Sequence, residues 1–294
     1  MKFVDVGSGA PIVIIPGIQG RWEWMKPAVE ALATRCRVVT FSLADEPTCG
    51  GRFDPSHGFD SYVEQVKEAM DLAGLRTAVV TGVSYGGLVA SAFAARYPDR
   101  TAGLVFVSAI APGWTPNARV RFYIRAPRLL LPLFLIGSLR MYKEIATARS
   151  GVLPGMATAV SHALNALTHM LSPGRVARRV RMAESVHLDR PLADVHVPTL
   201  VVTGDDGLDS VVPVRLTEEY MRIWPHAERV TLASTGHIGL VTRPDAFASA
   251  VGSFVERHAQ AGGPSTARGA DHATPSRGRD GDPGVRSARE KKVG

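Results

Sequence analysis

Residues 78–88 read Ala78-Val79-Val80-Thr81-Gly82-Val83-Ser84-Tyr85-Gly86-Gly87-Leu88. The first four are apolar or β-branched and end at a glycine, the pattern of a short strand buried on both faces. From Gly86 to Tyr97 the chain is small and apolar until Pro98 stops it, so a helix is expected there. Between the two stands Gly82-Val83-Ser84-Tyr85-Gly86, a G-x-S-x-G sequence in a strand–turn–helix context. A serine on so tight a turn is held at a strained backbone angle. Side chains at the flanking positions would meet the neighbouring strand and helix, which demands both glycines. Ser84 is thereby offered as a nucleophile. The bland alternative is a turn whose serine only caps the helix.

The same alternation extends outward. Ile12-Val13-Ile14-Ile15, closed by Pro16-Gly17, reads as a buried strand, as do Arg37 to Phe41 and Gly103 to Val107. Phe3 to Val6, joined through Gly7-Ser8-Gly9, reads as the hairpin partner of 12–15. Helical spacing occupies 22–33 and 61–72. Strand and helix resume at Thr199 to Thr203, after Pro213, at Arg229 to Leu232, and from Pro244 to Arg257. Strands apolar on both faces and alternating with helices indicate a parallel sheet covered by helices. From Pro112 to about Arg190 the alternation breaks, leaving helical stretches around 120–136, 140–149, 156–170 and 174–186. After Ala259, Gly, Pro, Ser, Ala and charge replace any apolar period, and disorder is expected. The expected organisation is an α/β core from 1–111 and 191–258, an inserted helical segment at 112–190, and a disordered basic tail at 259–294.

The net charge of +7 is unevenly placed. Residues 112–190 carry 12 basic and 3 acidic side chains, whereas 1–111 carry 10 and 11, and 191–258 carry 5 and 9. A basic insertion and tail give a nucleic-acid role little support, and no nucleic-acid partner is expected. The insertion sets Leu129 to Ile136 beside arginines at 119, 121, 125, 128 and 140. Contact with an acidic membrane surface is one reading of this mixture. Preferred over it is a lid whose apolar face packs on the core and whose arginines meet the acidic remainder or water. Cys36 and Cys49 build neither a metal-ligand spacing nor a disulfide framework and read as thiols in a reducing compartment. The first residues lack the apolar stretch of a signal peptide, and no apolar run is long enough to cross a membrane. A cytoplasmic location is expected.

A serine hydroxyl is a poor nucleophile until a base takes its proton. Of nine histidines, His237 follows the last strand in Ser234-Thr235-Gly236-His237, at the carboxyl edge of the sheet that Ser84 shares. His162 and His169 fall in the strandless insertion, His196 and His226 near strand beginnings at the opposite edge, His57 in a loop, and His258 and His272 at or in the tail. The base in turn needs a carboxylate to hold its tautomer. Gly204-Asp205-Asp206-Gly207-Leu208-Asp209 offers three.

This chain resembles the α/β-hydrolase fold family, and more narrowly its cap-bearing branch of esterases, lactonases and C–C hydrolases. The resemblance covers roughly residues 3–257. It is carried by Gly7-Ser8-Gly9, Pro16-Gly17, Gly82 to Gly87, Tyr97-Pro98-Asp99-Arg100, Val197-Pro198-Thr199, Asp209 with Pro213, Gly236-His237, and the order Ser, Asp, His. It implies an α/β-hydrolase fold, a mostly parallel sheet with helices on both faces and 112–190 as a helical cap. It favours Asp209 as the acid, four residues before the proline that begins the next helix. The strand-ending glycine is two residues further away than usual, which keeps Asp206 and Asp205 in reserve. It implies an oxyanion hole from the backbone N–H groups of Ile18 and Tyr85, with Pro16 standing where the family usually has histidine. Gln19 and Trp22 on that loop are expected to line the substrate site, Trp22 being equally a candidate for the core.

The function so implied is a serine hydrolase acting on a small, hydrophobic substrate with an ester-like, lactone or thioester bond, through an acyl-enzyme. No metal and no organic cofactor are expected. Serine at 84 argues against the dehalogenase and epoxide-hydrolase branches, which place aspartate there. Two alternatives stay open: acyl transfer or cofactor-free perhydrolysis on the same three residues, and a ligand-binding protein that kept the fold without turnover.

Overall fold

The computed structural model describes residues 1–51, 53–133, 144, 147 and 172–258. Its strands are β1 (Val4–Val6), β2 (Pro11–Ile15), β3 (Arg37–Thr40), β4 (Ala78–Val83), β5 (Thr101–Val107), β6 (Thr199–Thr203) and β7 (Glu228–Thr231). They form one 7-stranded sheet in the order β1-β3-β2-β4-β5-β6-β7, parallel except for β1. The helices are α1 (Lys26–Ala33), α2 (Asp60–Leu72), α3 (Gly86–Arg96), α4 (Ala118–Arg125), α5 (Pro173–Ala183), α6 (Val214–Ile223), the short α7 (Gly239–Thr242) and α8 (Pro244–His258).

β2 shows why the central strands are mostly apolar, in contrast to the largely exposed Glu228-Arg229-Val230-Thr231 of β7. Val13 and Ile15 enter the core on the face covered by α2, α3 and α6, while Ile12 and Ile14 enter the core on the face covered by α1 and α8. A strand buried on both sides favours apolar side chains at nearly every position, and the polar ones that remain in such strands here are threonines such as Thr40, Thr81 and Thr203. Helices thus cover both faces of the sheet, and the loops at its carboxyl edge are left to carry chemistry.

One expectation is corrected. β1 does not form a hairpin with β2; Val4, Asp5 and Val6 pair antiparallel with Thr40, Val39 and Val38 of β3. Both edges of β2 are taken, by β3 and by β4. Gly7, at φ +78°, lets the chain pass under the turn between α1 and β3, where a Cβ would lie 2.2 Å from the Cys36 carbonyl oxygen. Sequence neighbours pair by default, and here the two parallel partners of β2 displace that default.

Within residues 112–190, α4 packs on α5, and the described residues of this segment hold no strand. Leu129 and Leu133, which a lid packed on the core would bury, are 79% and 50% exposed. Apart from residues 144 and 147, the helices expected at 140–149 and 156–170 lie outside the described residues, as does the 259–294 tail. Among the described residues no helix is long and apolar enough to cross a membrane. Cys36 and Cys49 are both buried, and burial pushes both thiols up, Cys36 to about 11, which leaves them unreactive at neutral pH.

Candidate active site

Ser84 stands between β4 and α3 at φ +53°. That conformation costs a residue with a Cβ roughly 1–2 kcal/mol, so its surroundings must hold it. The Ser84 N–H donates to Val107 O of β5 at 2.9 Å, and the Ser84 carbonyl accepts from Gly87 N at 3.0 Å and Ile110 N at 3.3 Å. The two flanking glycines answer to close approach. A Cβ on Gly82 would lie 2.5 Å from Gly86 O, and one on Gly86 would lie 2.5 Å from Ile15 O. Ser84 itself remains 7% exposed.

The loop after β6 carries Asp209, and the loop after β7 carries His237. Asp209 Oδ1 accepts from Val211 N at 3.0 Å and Val212 N at 2.7 Å, and its Oδ2 lies 3.1 Å from His237 Nδ1. Both residues are 6% exposed. A carboxylate at Nδ1 places the proton there and leaves Nε2 as an acceptor, the tautomer a general base requires. Burial works against the imidazolium, but the Asp209 charge, the Asp209 hydrogen bond and the Glu144 charge outweigh it and hold the His237 pKa above the ordinary histidine value.

The three aspartates left open by the sequence are separated by this geometry. Asp205 Oδ2 accepts from Ser234 N at 2.7 Å, and Asp205 N donates to Thr235 O at 2.8 Å, so it staples the loop that leads to His237. Asp206 is exposed. Asp209 is the one that reaches the imidazole. Ser84, Asp209 and His237 all lie beyond the carboxyl ends of their strands. Among the described residues no hydrogen bond joins Ser84 Oγ to His237, whose Nδ1 is bonded to Asp209. Such nucleophile–base bonds are often long without substrate and tighten when it binds.

The loop after β2 lies against Ser84: a Cβ on Gly17 would stand 3.2 Å from Ser84 Cβ. Gly20 N donates to Gly17 O at 2.9 Å, which closes a turn with Ile18 and Gln19 at its tip. Among the described residues neither the Ile18 amide nor the Tyr85 amide donates to a backbone acceptor. The Tyr85 ring packs in the core, 6.1 Å from Phe59 and 6.2 Å from Tyr62 between ring centroids, so this residue brings its backbone to the site and not its ring. Gln19 is half-buried beside Gly17. Trp22 opens a short helical turn and rests against the core beneath α1 and α8.

Two neighbours of the site escaped the sequence. Glu144, 1% exposed, accepts from Ile238 N at 2.7 Å, next to His237. Burial raises its carboxyl pKa, and the Ile238 and Gly236 amides pull it back. Its signal was to be one of three acids in an otherwise basic insertion. Arg179 of α5 is fully buried and donates to Ile18 O at 2.7 Å. Its signal was an arginine in helical phase with the buried Ala183. Among the described residues no group of three or more His, Cys, Asp or Glu side chains is placed to hold a metal ion.

The chain is 27% identical over 271 residues to poly(3-hydroxyalkanoate) depolymerase of Ectopseudomonas oleovorans, which covers 85% of this chain and 86% of that protein. It is 23% identical over 269 residues to pimeloyl-(acyl-carrier protein) methyl ester esterase of Vibrio atlanticus, covering 85% and 96%. Among solved structures, the esterase RhEst1 from Rhodococcus sp. ECU1013 superposes with a TM-score of 0.70 at 23% identity, over 87% of this chain and 94% of that one, a likeness of fold. The sequence profile of the alpha/beta hydrolase family matches residues 12–250, from β2 into α8, and the chain belongs to that family.

Proposed function

We propose that this protein is a serine hydrolase that cleaves an ester-like bond of a small, hydrophobic substrate through an acyl-enzyme. One observation carries the proposal: a buried Asp209–His237 pair stands at the same sheet edge as a serine held at φ +53°. Ser84 Oγ attacks the carbonyl carbon while His237 Nε2 takes its proton. Asp209 stabilises the imidazolium that forms, and the Ile18 and Tyr85 amides receive the oxyanion. As the tetrahedral intermediate collapses, the imidazolium protonates the leaving alkoxide and the alcohol departs. Water then attacks the acyl-Ser84 carbonyl as His237 takes its proton; the second tetrahedral intermediate collapses, the imidazolium returns a proton to Ser84 Oγ, and the acid product leaves as its carboxylate. The segment 112–190 serves as the cap over this edge. Its described residues reach both halves of the site, Glu144 at the His237 loop and Arg179 at Ile18. An ester substrate agrees with the methyl ester esterase among the similar proteins.

A fluorophosphonate is expected to label the wild-type protein at Ser84, read by peptide mass spectrometry, and a panel of p-nitrophenyl esters is expected to be turned over. A folded protein that is neither labelled nor active would instead be a ligand-binding member of the fold.

The raised His237 pKa gives a pH test. The base works when neutral, so kcat/KM falls as acid charges it, and the inflection is expected above 6.5. Glu144→Gln keeps an acceptor for Ile238 N but removes a negative charge that favours the imidazolium. The inflection of that variant should therefore move to lower pH. Paired pH–rate profiles with identical inflections would reject the coupling.

A further inference from the structure

A charged guanidinium enclosed in protein is expensive unless every donor is used. All three nitrogens of the Arg179 guanidinium find acceptors, through four hydrogen bonds. Its Nε and Nη2 donate to Asp45 Oδ1 at 3.1 and 2.5 Å, its Nη2 also to Glu46 Oε1 at 2.7 Å, and its Nη1 to Ile18 O at 2.7 Å. Arg175, one helical turn earlier on α5, donates through Nε to the same Glu46 Oε1 at 3.0 Å. Two arginines of α5 and two carboxylates of the β3–α2 connection thus form a charge-balanced cluster. Its Arg179–Asp45–Glu46 heart is almost wholly shut off from water.

The cluster touches the loop after β2 through Arg179. The Gly17–Ile18 peptide unit carries the Ile18 N–H, and its carbonyl accepts from Gly20 N at 2.9 Å. The next carbonyl, Ile18 O, accepts from Arg179, and Gly20 O accepts from Leu43 N at 2.7 Å. Three fastenings, at Gly17 O, Ile18 O and Gly20 O, therefore hold this turn, and the guanidinium supplies the middle one. Gly20 makes room for it: at φ +76°, a Cβ there would lie 2.3 Å from both Nη atoms. Stability alone does not call for a buried ion cluster, because apolar residues of similar volume often serve as well. A hydrogen bond to a carbonyl beside an oxyanion donor has a separate use, since such donors must stand about 2.7–3.1 Å from the place the oxyanion will occupy, a tolerance of a few tenths of an ångström.

We propose that Arg179 is a positioning residue for the oxyanion hole: by holding the Ile18 carbonyl it aims the Ile18 amide and ties the base of the cap to the catalytic loop. This rests on the hydrolase function proposed above, and it adds a link through which movement of α5 re-aims the hole.

The test compares the wild type with Arg179→Lys and Arg179→Met. Rates are taken on a p-nitrophenyl ester per fluorophosphonate-titrated site, together with the inhibition constant of a trifluoromethyl ketone, whose adduct with the serine carries an oxyanion. Loss of a whole oxyanion donor costs about 10²–10³ in kcat, so a mis-aimed one is expected to cost about 10–100-fold in kcat with KM within about threefold. The ketone should weaken in parallel with kcat/KM, and lysine should recover part of the loss. A variant with a lowered melting temperature but undiminished kcat per titrated site, and unchanged ketone binding, shows a merely structural arginine and overturns the proposal. If Arg179→Met does not fold, Arg179→Lys and Gly20→Ala, which displaces the guanidinium without removing it, decide by the same two readouts. A wild type that is neither labelled nor active overturns the hydrolase function and this inference together. A labelled, active wild type with unaffected variants overturns this inference alone.

Discussion

Ser84→Ala is expected to lower kcat/KM for a p-nitrophenyl ester by at least ~10⁴-fold while leaving the fold intact. Alanine keeps the Cβ and the backbone, so the bonds from Ser84 N to Val107 O and from Ile110 N to Ser84 O have no reason to change. What vanishes is the atom that forms the acyl bond. Ser84→Gly sharpens the case. At φ +53° glycine sheds strain of roughly 1–2 kcal/mol and gives back about 0.5–1 kcal/mol in backbone entropy. Its melting temperature should therefore equal or exceed that of the wild type, with activity gone. Calorimetry beside progress curves checks both halves. An alanine variant that retains full ester hydrolysis would remove Ser84 from the chemistry.

Asp209→Asn should cost on the order of 10⁴ in kcat, comparable with the same exchange in other serine triads. The reason is written in the hydrogen bonds. Oδ1 accepts from two backbone amides, Val211 N and Val212 N, so an asparagine must keep its oxygen there. Its NH₂ group is then turned toward His237 Nδ1, at the position Oδ2 holds now, 3.1 Å away. The imidazole answers by accepting at Nδ1 and carrying its proton on Nε2, where it can no longer take one from serine. Asp206→Asn, at an exposed position, should stay within about threefold of wild type. Asp205→Asn loosens the Ser234 contact and should fall between the two. Steady-state kinetics on the three variants ranks them; equal losses at 205 and 209 would remove the distinction between orienting acid and loop staple.

The nucleophile turn was legible because its requirements are local. Glycines at 82 and 86, an apolar strand before and a small-residue helix after are all set by contacts within a few residues or with the adjoining strand end. The two-sided burial of β2 and β4 was legible for the same reason, since it leaves a nearly continuous apolar run, interrupted in β4 only by Thr81 and Gly82. The partner of β1 was not, because it depends on which edges of β2 other strands occupy. The family resemblance, through position relative to the next proline, favoured Asp209, but three aspartates within five residues share composition and spacing. They part company only when backbone amides and an imidazole choose among them. Glu144 and Arg179 were hidden for a related reason. A buried charge looks like any surface charge until its partners, here Ile238 N, Asp45, Glu46 and Ile18 O, arrive from distant segments.

β6 joins the sheet beside β5 only after the chain has travelled from Val107 to Thr199. Everything through β5, including the bent serine, can be in place on a growing polypeptide while the acid and the base are still to come. On the proposed chemistry, competence would then wait for the docking of the last two strands, a non-local step. Conversely, mild denaturation that peels β6 and β7 from the edge would silence turnover while the first five strands still hold together.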